Sequence, residues 1–390
     1  MRSSNLIITP RDPLLFRDGR PFGPAGVAYS GGLKWPRYGT LAGMLRTYIG
    51  LATDSDYFGG DNKKNVEEVL KISIGLCLPG TSIEDDTIYL PAPADAVAYP
   101  SDDKENNKLL LIKRLEPRTI AKDEGTDIEW ENFQYPWIEE QEKPKEMPEF
   151  WRWSAYLNWL IYGSVMESGR HIDIEEIIFK EPPVVEKRTH VCINKKTGSA
   201  LDSSIYITEN YDYSSDLRFF VQADIPKSFN IPQRDMAVLG GERRLVHIDC
   251  KEDFKWPTEL PEEIGHNGQG LRLILVSPGL FKDGWLPSML MESLKNGKWS
   301  KFFNTDILIR LRSACIPNFV PCHGWDMTKG KFGAPKPMRK MVPAGSVYFI
   351  EVEDESRMKE VAQKLWNTSL CEDEQDRRDG LGRVLVGNWL

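Results

Sequence analysis

Short apolar runs with the spacing of strands and helices recur in both halves of this sequence, and Pro, Gly and charged loops separate them. Residues 5–9 and 271–276 have the composition of strands, and 346–352 and 383–389 repeat that pattern later in the chain. The apolar residues of 41–49 recur at i, i+3, i+4 and i+7, which is the spacing of one helix face. Strands interrupted by single helices predict the α+β class with antiparallel sheets.

The length and the local composition predict two domains. A chain of 390 residues is too long for one compact core. We expect an N-terminal domain at 1–225 and a C-terminal domain at 226–390. The first should contain an acidic insertion at about 52–149, where periodicity is lost, and a β-hairpin at about 184–210 around the turn at Lys195. An aromatic-rich helix is predicted over 149–168.

The charge of the chain is unevenly distributed. The net charge is −8 overall, but residues 1–50 carry +5 and residues 310–340 carry +6, whereas residues 51–150 carry −12. A phosphate backbone responds to the local potential, which salt screens over about 8–10 Å. The composition therefore permits RNA binding despite the acidic total.

Other broad classes find little support in the sequence. It has no apolar run of about 18 residues and no signal-peptide core near residue 1, so we expect a cytoplasmic protein without a membrane span. The six cysteines are scattered without CxxC spacing, which predicts no metal site.

Enzyme signatures are also missing from the sequence. It contains no GxSxG, HExxH or Walker A lysine loop, and the glycines at 380–387 open a strand where a dinucleotide fingerprint needs a helix. We predict no catalytic residue and no cofactor. His190 is the one histidine kept as a candidate, because it lies two residues from Arg188 on the predicted hairpin.

Basic and aromatic residues cluster near the N-terminus. Arg17 and Arg20 surround a tight turn, and Lys34, Trp35 and Arg37 lead into the helix that begins near Thr40. A helix N-terminus, arginines and a tryptophan together offer N–H donors, charge and a stacking surface to RNA. A core tryptophan with solvated arginines explains the same residues equally well.

Two later segments combine glycine or proline with basic residues. Gly240 and Gly241 precede Arg243 between two strands, and Lys336 and Arg339 precede a Pro-Ala-Gly-Ser turn. Each segment is explained either as a plain exposed turn or as a place where an RNA backbone approaches closely.

Four blocks of sequence resemble a known family. DPLLFRDGRPF, LKWPRYGTLAGMLRT, VLGGERRLVHI and GWDMTKGKFGAPKPMRKMVPAGSVYFIE are similar to the third subunit of the Cmr effector complex, the type III-B CRISPR system, within the RAMP superfamily. The run from Lys336 to Phe349 is the most specific of these. The blocks span nearly the whole chain, although the insertion at 52–149 carries no matching motif.

This resemblance implies a fold and a function. It implies two ferredoxin-like (RRM-like) domains in a RAMP arrangement, with glycine-rich loops and the hairpin at 184–210 as a thumb against the guide–target RNA duplex. It implies a non-catalytic subunit that binds the 5′ tag of the crRNA. Its protein partners would be the large polymerase-like CRISPR subunit and the backbone RAMP subunits.

The motifs also give a set of expected RNA contacts. These are Arg17, Arg20, Lys34, Trp35, Arg37, Thr40, Arg46, Arg188, His190, Gly240, Gly241, Arg243, Lys336, Arg339 and Arg383. Two other hypotheses stay open: a metal-independent RAMP endoribonuclease that processes precursor RNA with His190, and a protein-only scaffold.

Overall fold

The computed structural model of the 390-residue chain describes all but a few short stretches. The following residues are not described. These are residues 18–27, 60–62, 82–87, 102–108, 122–124, 126–129, 131, 166–170, 174–176, 178–181, 214–215, 252–253, 255, 258, 267, 327 and 330–332, together with the side chains of 28, 30, 109, 171, 203 and 296.

The described chain is built mostly of strands, with a few helices between them. The strands are β1 Arg2–Pro10, β2 Ala28–Ser30, β3 Ser73–Gly80, β4 Tyr89–Pro91, β5 Ala96–Pro100, β6 Leu109–Arg114, β7 Glu116–Arg118, β8 Tyr135–Trp137, β9 Phe150–Arg152, β10 His171–Asp173, β11 Val184–Ile193, β12 Ala200–Asp212, β13 Arg218–Ile225, β14 Arg234–Val238, β15 Leu245–Cys250, β16 Gly270–Leu275, β17 Ser300–Lys301, β18 Leu308–Cys315, β19 Val320–Cys322, β20 Trp325–Asp326, β21 Ala334–Pro335, β22 Arg339–Met341, β23 Val347–Val352 and β24 Val384–Trp389. The helices are α1 Tyr38–Thr53, α2 Lys63–Val69, α3 Trp153–Tyr162, α4 Ser288–Asn296, α5 Met358–Leu365 and α6 Glu374–Arg378, with 3₁₀ turns at Gly241–Arg243 and Glu355–Arg357.

Two five-stranded antiparallel sheets are the largest in the described chain. The first sheet has the order β14-β15-β1-β13-β3, and the second has the order β17-β18-β23-β16-β24. β16 and β24 are buried at every residue, whereas the burial of β18 alternates along the strand. Continuous burial means that the end of the second sheet formed by β16 and β24 is covered on both faces.

Smaller ladders surround these sheets. β11 and β12 form a long antiparallel hairpin, and β2 joins the outer side of β12 in parallel. β5, β6 and β10 form a three-stranded sheet, and β4–β9, β7–β8, β19–β22 and β20–β21 are two-stranded. The predicted mixed fold with mostly antiparallel sheets is confirmed. The ferredoxin-like character of the domains stays a prediction.

The chain divides into two compact units, and neither unit is one continuous stretch. Unit 1 contains Met1–Ser82, Lys180–Asp253 and His323–Pro337, and unit 2 contains the remaining three stretches, Ile83–Phe179, Phe254–Cys322 and Met338–Leu390. The sequence predicted contiguous halves at 1–225 and 226–390 instead. The difference arises because the predicted insertion does not sit on one domain: residues up to 82 stay with unit 1, and the following residues join unit 2.

The predicted insertion is therefore part of both cores. Ile74, Leu76 and Leu78 of β3 are buried in unit 1, and Tyr89 of β4 is buried in unit 2. The aromatic segment after it divides into the strand β9 and the shorter helix α3, where the sequence predicted one helix over 149–168. Trp151 and Trp159 from these two elements pack edge to face, with ring centroids 5.5 Å apart, and both are fully buried.

Candidate nucleic-acid interface

The segment after β1 brings the first predicted contact residue to the surface of unit 1. Leu14 exchanges backbone hydrogen bonds with Tyr211 of β12, at 2.9 and 2.8 Å, and Leu14 to Phe16 are buried. Arg17 follows them, is exposed, and pairs with Gly32 through an isolated bridge. The apolar run before Arg17 thus fixes the backbone and leaves this side chain outside. Arg20 lies outside the described residues.

The loop between β14 and β15 is seated on Leu15. Gly241 N–H donates to the Leu15 carbonyl at 2.8 Å, and Gly240 has a left-handed φ of 77°. A Cβ added at Gly240 would lie 2.5 Å from that same carbonyl oxygen. Only glycine fits this approach, because any side chain would push the loop away from the segment that presents Arg17.

Two residues at the tip of this loop have an unusual backbone. Glu242 and Arg243 have φ values of 58° and 54°, in the left-handed region that non-glycine residues seldom occupy. Arg243 is exposed, and among the described residues its side chain has no hydrogen-bond or ion-pair partner. Arg244 is half-buried, and its Nη2 donates to the Glu242 carboxylate at 2.5 Å. Strained backbone is often found at functional sites.

One face of the β11–β12 hairpin lies against this loop. His190 stacks on Tyr206, its cross-strand neighbour, with the rings 4.9 Å apart, and its Nε2 is 2.9 Å from Thr208 Oγ1. The same Nε2 lies 3.6 Å from the carboxylate of Glu242 in the loop. The hairpin and the loop therefore meet at His190.

Arg188 lies on the same face, two residues before His190. Its guanidinium donates two hydrogen bonds to Glu186, at 2.8 and 2.9 Å. This contact lowers the pKa of Glu186 and raises the pKa of Arg188. Arg188 is half-buried, so part of its surface stays open to solvent beside the loop.

The start of α1 adds the second predicted basic group. Arg37 is the N-cap residue, no side chain caps the helix, and the Arg37 carbonyl accepts from the N–H groups of Thr40 and Leu41. Lys34 Nζ lies 5.5 Å from the Trp35 ring. This segment is tied to Arg17, because Leu33 N–H donates to the Phe16 carbonyl at 2.6 Å.

Trp35 is placed between the core and the surface. Its ring lies 6.2 Å from Tyr213 and 6.5 Å from Phe219, which are both buried. Tyr213 in turn donates its O–H to the Lys34 carbonyl at 2.6 Å. The ring therefore packs on core aromatics on one side, and it is half-buried as a whole.

Three of the predicted contact residues are engaged within the fold. Arg46 is 7% exposed and donates to the Ile72 carbonyl at 2.9 Å. Arg339 makes two hydrogen bonds, at 2.6 and 2.8 Å, to the buried carboxylate of Asp376, and Arg383 donates to the Asn367 carbonyl at 2.7 Å.

Two of these arginines belong to the other unit. Arg339 and Arg383 belong to unit 2, whereas Arg17, Arg188 and Arg243 belong to unit 1. Lys336 belongs to unit 1 but lies next to the short β20–β21 ladder, where its N–H donates to the Gly324 carbonyl at 2.9 Å. The structure thus gathers the segments of Arg17, Lys34 to Arg37, Arg188 to His190 and Gly240 to Arg243.

The two units differ in net charge. Unit 1 holds 24 Lys and Arg against 20 Asp and Glu, whereas unit 2 holds 26 against 38. The gathered basic segments therefore lie on the unit with the positive balance. Positive local charge attracts a phosphate backbone even when the whole chain is acidic.

Sequence reasoning missed two members of this cluster, Glu242 and Arg244. Both lie in the GGERR turn. The sequence predicted only Arg243 as an RNA contact there, because it is the first basic residue after the two glycines. The alternation of a strand places Glu186, Arg188 and His190 on one face, and this periodicity could have identified Glu186 as the partner of Arg188.

Metal centres and membrane spans have no counterpart in the described part of the chain. No group of three or more His, Cys, Asp and Glu side chains there is arranged to hold a metal ion. No helix among the described residues is both long and apolar enough to span a membrane.

Solved structures of CRISPR effector subunits align with most of the chain at low identity. A chain of the type III-B Cmr-beta complex bound to cognate target RNA is 16% identical, with a TM-score of 0.48, and the alignment covers 88% of this chain and 86% of that one. A chain of the Csm3–Csm4 subcomplex of type III-A is 12% identical, with a TM-score of 0.32 and coverages of 89% and 94%. Comparison with proteins of curated function gives no significant match.

The family assignment rests on a sequence profile. The profile of the family described as CRISPR-associated protein (Cas_Cmr3) matches residues 6–389, which is nearly the full length. The resemblance predicted from the four sequence blocks is confirmed. The chain belongs to the Cmr3 family of CRISPR-associated proteins.

Proposed function

We propose that this chain is a non-catalytic subunit of a type III-B CRISPR effector complex and that unit 1 binds the 5′ tag of the crRNA. One observation carries the proposal: segments far apart in the sequence are packed together around Leu15 and the hairpin. They place Arg17, Arg188 and Arg243 on one positively charged unit. Basic side chains on adjoining loops are the usual means of gripping an RNA backbone.

The groups of this surface suit different parts of a single-stranded RNA. The guanidinium donors of Arg243 at the tip of a loop have no partner in the described part of the chain, which fits a bidentate contact with a phosphate. Gly240 and Gly241 carry no side chain, so an RNA backbone can approach the loop closely. At the N-terminus of α1 the side chain of the N-cap residue Arg37 makes no cap hydrogen bond, so backbone N–H groups of the first turn suit a second phosphate.

The hairpin is our candidate for the thumb against the guide–target duplex. Val191 and Ile205 are paired across its strands and both are exposed, although they are apolar. The turn beyond them carries Lys195 and Lys196. An apolar surface followed by basic residues suits a duplex, because apolar side chains contact bases while lysines contact phosphates.

The same proposal includes protein partners and domain type. We expect unit 1 and unit 2 to be ferredoxin-like domains, since each contains a five-stranded antiparallel sheet with neighbouring helices. We expect the chain to join the large polymerase-like subunit to the backbone RAMP subunits, as the family resemblance implies.

Arg243→Glu is the sharpest test of the RNA contact. The effector complex is purified from the native host through a tagged copy of this chain, and retained guide RNA is measured at increasing salt. We expect weaker retention, and a salt slope that is about one unit shallower, because one phosphate contact is lost. Arg234→Glu is the matched control, since Arg234 is an exposed arginine at the far end of β14.

Two outcomes would contradict the proposal. Equal retention by wild type and Arg243→Glu at every salt concentration would remove the loop from the RNA interface. Metal-independent cleavage of a repeat RNA that is lost in His190→Ala would replace the non-catalytic role with that of an endoribonuclease.

A further inference from the structure

The carboxylate of Glu242 lies among the cationic groups of the proposed RNA surface. It accepts from Arg244 Nη2 at 2.5 Å and lies 3.6 Å from His190 Nε2. A negative side chain at this position opposes RNA binding, because it repels the phosphates that the surface attracts. The chain nevertheless places it at the tip of the loop, next to Arg243.

Glu242 belongs to a group of charges that we call the loop cluster. Its members share the space between the hairpin and the loop, and they are Asp12, Glu186, Arg188, His190, Glu242 and Arg244. Asp12 accepts from Leu245 N–H at 2.8 Å, which ties it to the end of the loop. The pKa of Arg188 is raised first by the hydrogen bonds that it donates to Glu186 and further by the charges of Glu242 and Asp12.

The charges of the loop cluster leave no positive excess. Two guanidinium groups face three carboxylates, so with a neutral His190 the sum is −1. A phosphate has no electrostatic reason to enter this arrangement. With the carboxylate of Glu242 moved away, the remaining groups balance, and a phosphate then takes the place of the missing negative charge.

The backbone of the loop is suited to such a movement. Gly240 and Gly241 are fixed on Leu15, whereas the next two residues hold left-handed φ values that cost backbone energy. The Glu242 side chain is one-third exposed. Rotation of these two residues moves the carboxylate into solvent without disturbing the seat of the loop.

Polar groups near the cluster are also left unsatisfied. Asn210 is fully buried, and neither of its amide atoms has a hydrogen-bond partner among the described residues. It lies on the same hairpin face as His190, directly across from Glu186. The buried Arg244 Nε likewise has no partner in the described chain. Buried polar groups are normally bonded, and these atoms add hydrogen-bonding capacity beside the loop cluster.

We propose that Glu242 is an anionic placeholder for an RNA phosphate. Its carboxylate occupies the position beside Arg244 and His190 that a phosphodiester takes when RNA binds. Binding is then an exchange of one anion for another, and only an RNA held by the surrounding contacts displaces the carboxylate. This inference rests on the proposed function and adds a phosphate subsite, formed by Arg244, Arg188 and His190, to it.

Glu242→Gln separates charge from shape. Glutamine keeps the length of the side chain, the left-handed backbone and an acceptor for Arg244, and it removes only the negative charge. In the complex purified from the native host, we expect about fivefold tighter retention of guide RNA, the size of one surface charge interaction. We also expect a salt slope that is steeper by about one unit, because no carboxylate has to regain a counterion when it leaves.

Glu209→Gln is the matched control. Glu209 pairs with Lys187 at 3.7 Å and accepts a hydrogen bond from Tyr29, but it points to the opposite face of the hairpin. We expect the complex with Glu209→Gln to retain guide RNA as well as the wild-type complex does. A similar gain in both variants would indicate a general effect of net charge and would overturn the placeholder role.

The result also distinguishes this inference from the proposed function. If Arg243→Glu weakens retention while Glu242→Gln leaves it unchanged or weakens it, the surface binds RNA and the placeholder is wrong. If Arg243→Glu has no effect, the proposed function itself fails. If Glu242→Gly tightens retention and Glu242→Gln does not, backbone strain and not charge is responsible, and the placeholder is again overturned.

Discussion

Unit 2 contains an ion pair with no exposed surface. Arg272 and Asp95 are both 0% exposed, and Arg272 Nη1 donates to Asp95 Oδ2 at 2.7 Å. Trp159 Nε1 donates to the other carboxylate oxygen at 3.0 Å, and Arg272 Nε donates to the Asn388 carbonyl at 2.7 Å. Burial lowers the pKa of Arg272, while the charge of Asp95 opposes that shift. These contacts tie the predicted insertion to the second sheet, residue by residue.

Arg272→Ala should be strongly destabilising, because it leaves the charge of Asp95 buried without its ion-pair partner. We expect a loss of about 3–5 kcal/mol in the free energy of unfolding, measured by urea denaturation of the full chain. Lys364→Ala removes a solvent-exposed pair with Glu360 on α5 and serves as the control, with an expected loss of about 0–1 kcal/mol. Equal midpoints for the two variants would refute this account of the buried pair.

Among structural elements, β14 is notable because it forms one edge of the first sheet. The Gln233 carbonyl accepts from Cys250 N–H, and Leu239 N–H donates to the Arg244 carbonyl. Because hydrogen bonding alternates along an antiparallel strand, the odd-numbered residues of this stretch direct their backbone groups toward β15. The N–H of Met236 therefore points outward, and it donates to the side chain of Asp235 at 2.7 Å. The Asp235 side chain thus accepts the hydrogen bond from a backbone N–H that could otherwise pair with another strand. Natural proteins protect sheet edges with charged residues in this way.

Asp235→Ala should uncover this edge and increase self-association, because Met236 and Val238 beside it are exposed and apolar. We expect light scattering at high protein concentration to show dimers or larger species that wild type lacks. Asp224→Ala is the control, since Asp224 is exposed on β13, an inner strand with partners on both sides. If both variants stayed monomeric under the same conditions, the protective role of Asp235 would be wrong.

Across the whole molecule, the chain combines a basic unit with a strongly acidic one. The balance is 24 Lys and Arg against 20 Asp and Glu in unit 1 and 26 against 38 in unit 2. An acidic surface repels nucleic acid at a distance and so suppresses weak binding to unrelated sequences. For a chain that binds the crRNA tag as proposed, the acidity of unit 2 would favour that RNA over unrelated RNA.

Neutralising exposed acids of unit 2 tests this idea. Glu139, Glu142 and Glu146 are exposed, and the triple change to glutamine should raise affinity for an unrelated single-stranded RNA by about two- to tenfold at low salt. The gain should vanish near 0.5 M salt, where charges are screened within a few ångströms. The triple change to aspartate keeps the charge and should bind like wild type. A gain in that variant, or none in the glutamine variant, would exclude the charge effect.

Much of the interface was predictable because its signals are local. The helix over 41–49, the hairpin around Lys195 and the glycine turn before Arg243 each follow from a few neighbouring residues. The sequence could not predict which of the candidate arginines bind within the protein, as Arg46, Arg339 and Arg383 do. Their hydrogen-bond partners, Ile72, Asp376 and Asn367, lie 16 to 37 residues away, and a guanidinium looks the same in a sequence whether it binds a carbonyl or a phosphate.

The division into units was beyond the reach of local signals. β3 is a short apolar run inside a region where polar loops dominate, so its place beside β13 in the first sheet is decided by pairing with residues far along the chain. The following residues join unit 2 through contacts such as Asp95 with Arg272. Neither pairing leaves a trace in the composition of the stretch itself.

The position of β16 between β23 and β24 has a consequence for synthesis on the ribosome. All five strands of the first sheet, and every residue gathered at the nucleic-acid interface, have been translated by Cys250. The second sheet is completed only when residues 384–389 have been made, and until then β16 has its neighbour β23 on one edge and none on the other. A nascent chain can thus complete the sheet that carries the proposed RNA surface while the second sheet is still incomplete, so a guide RNA that binds as proposed could do so before translation ends.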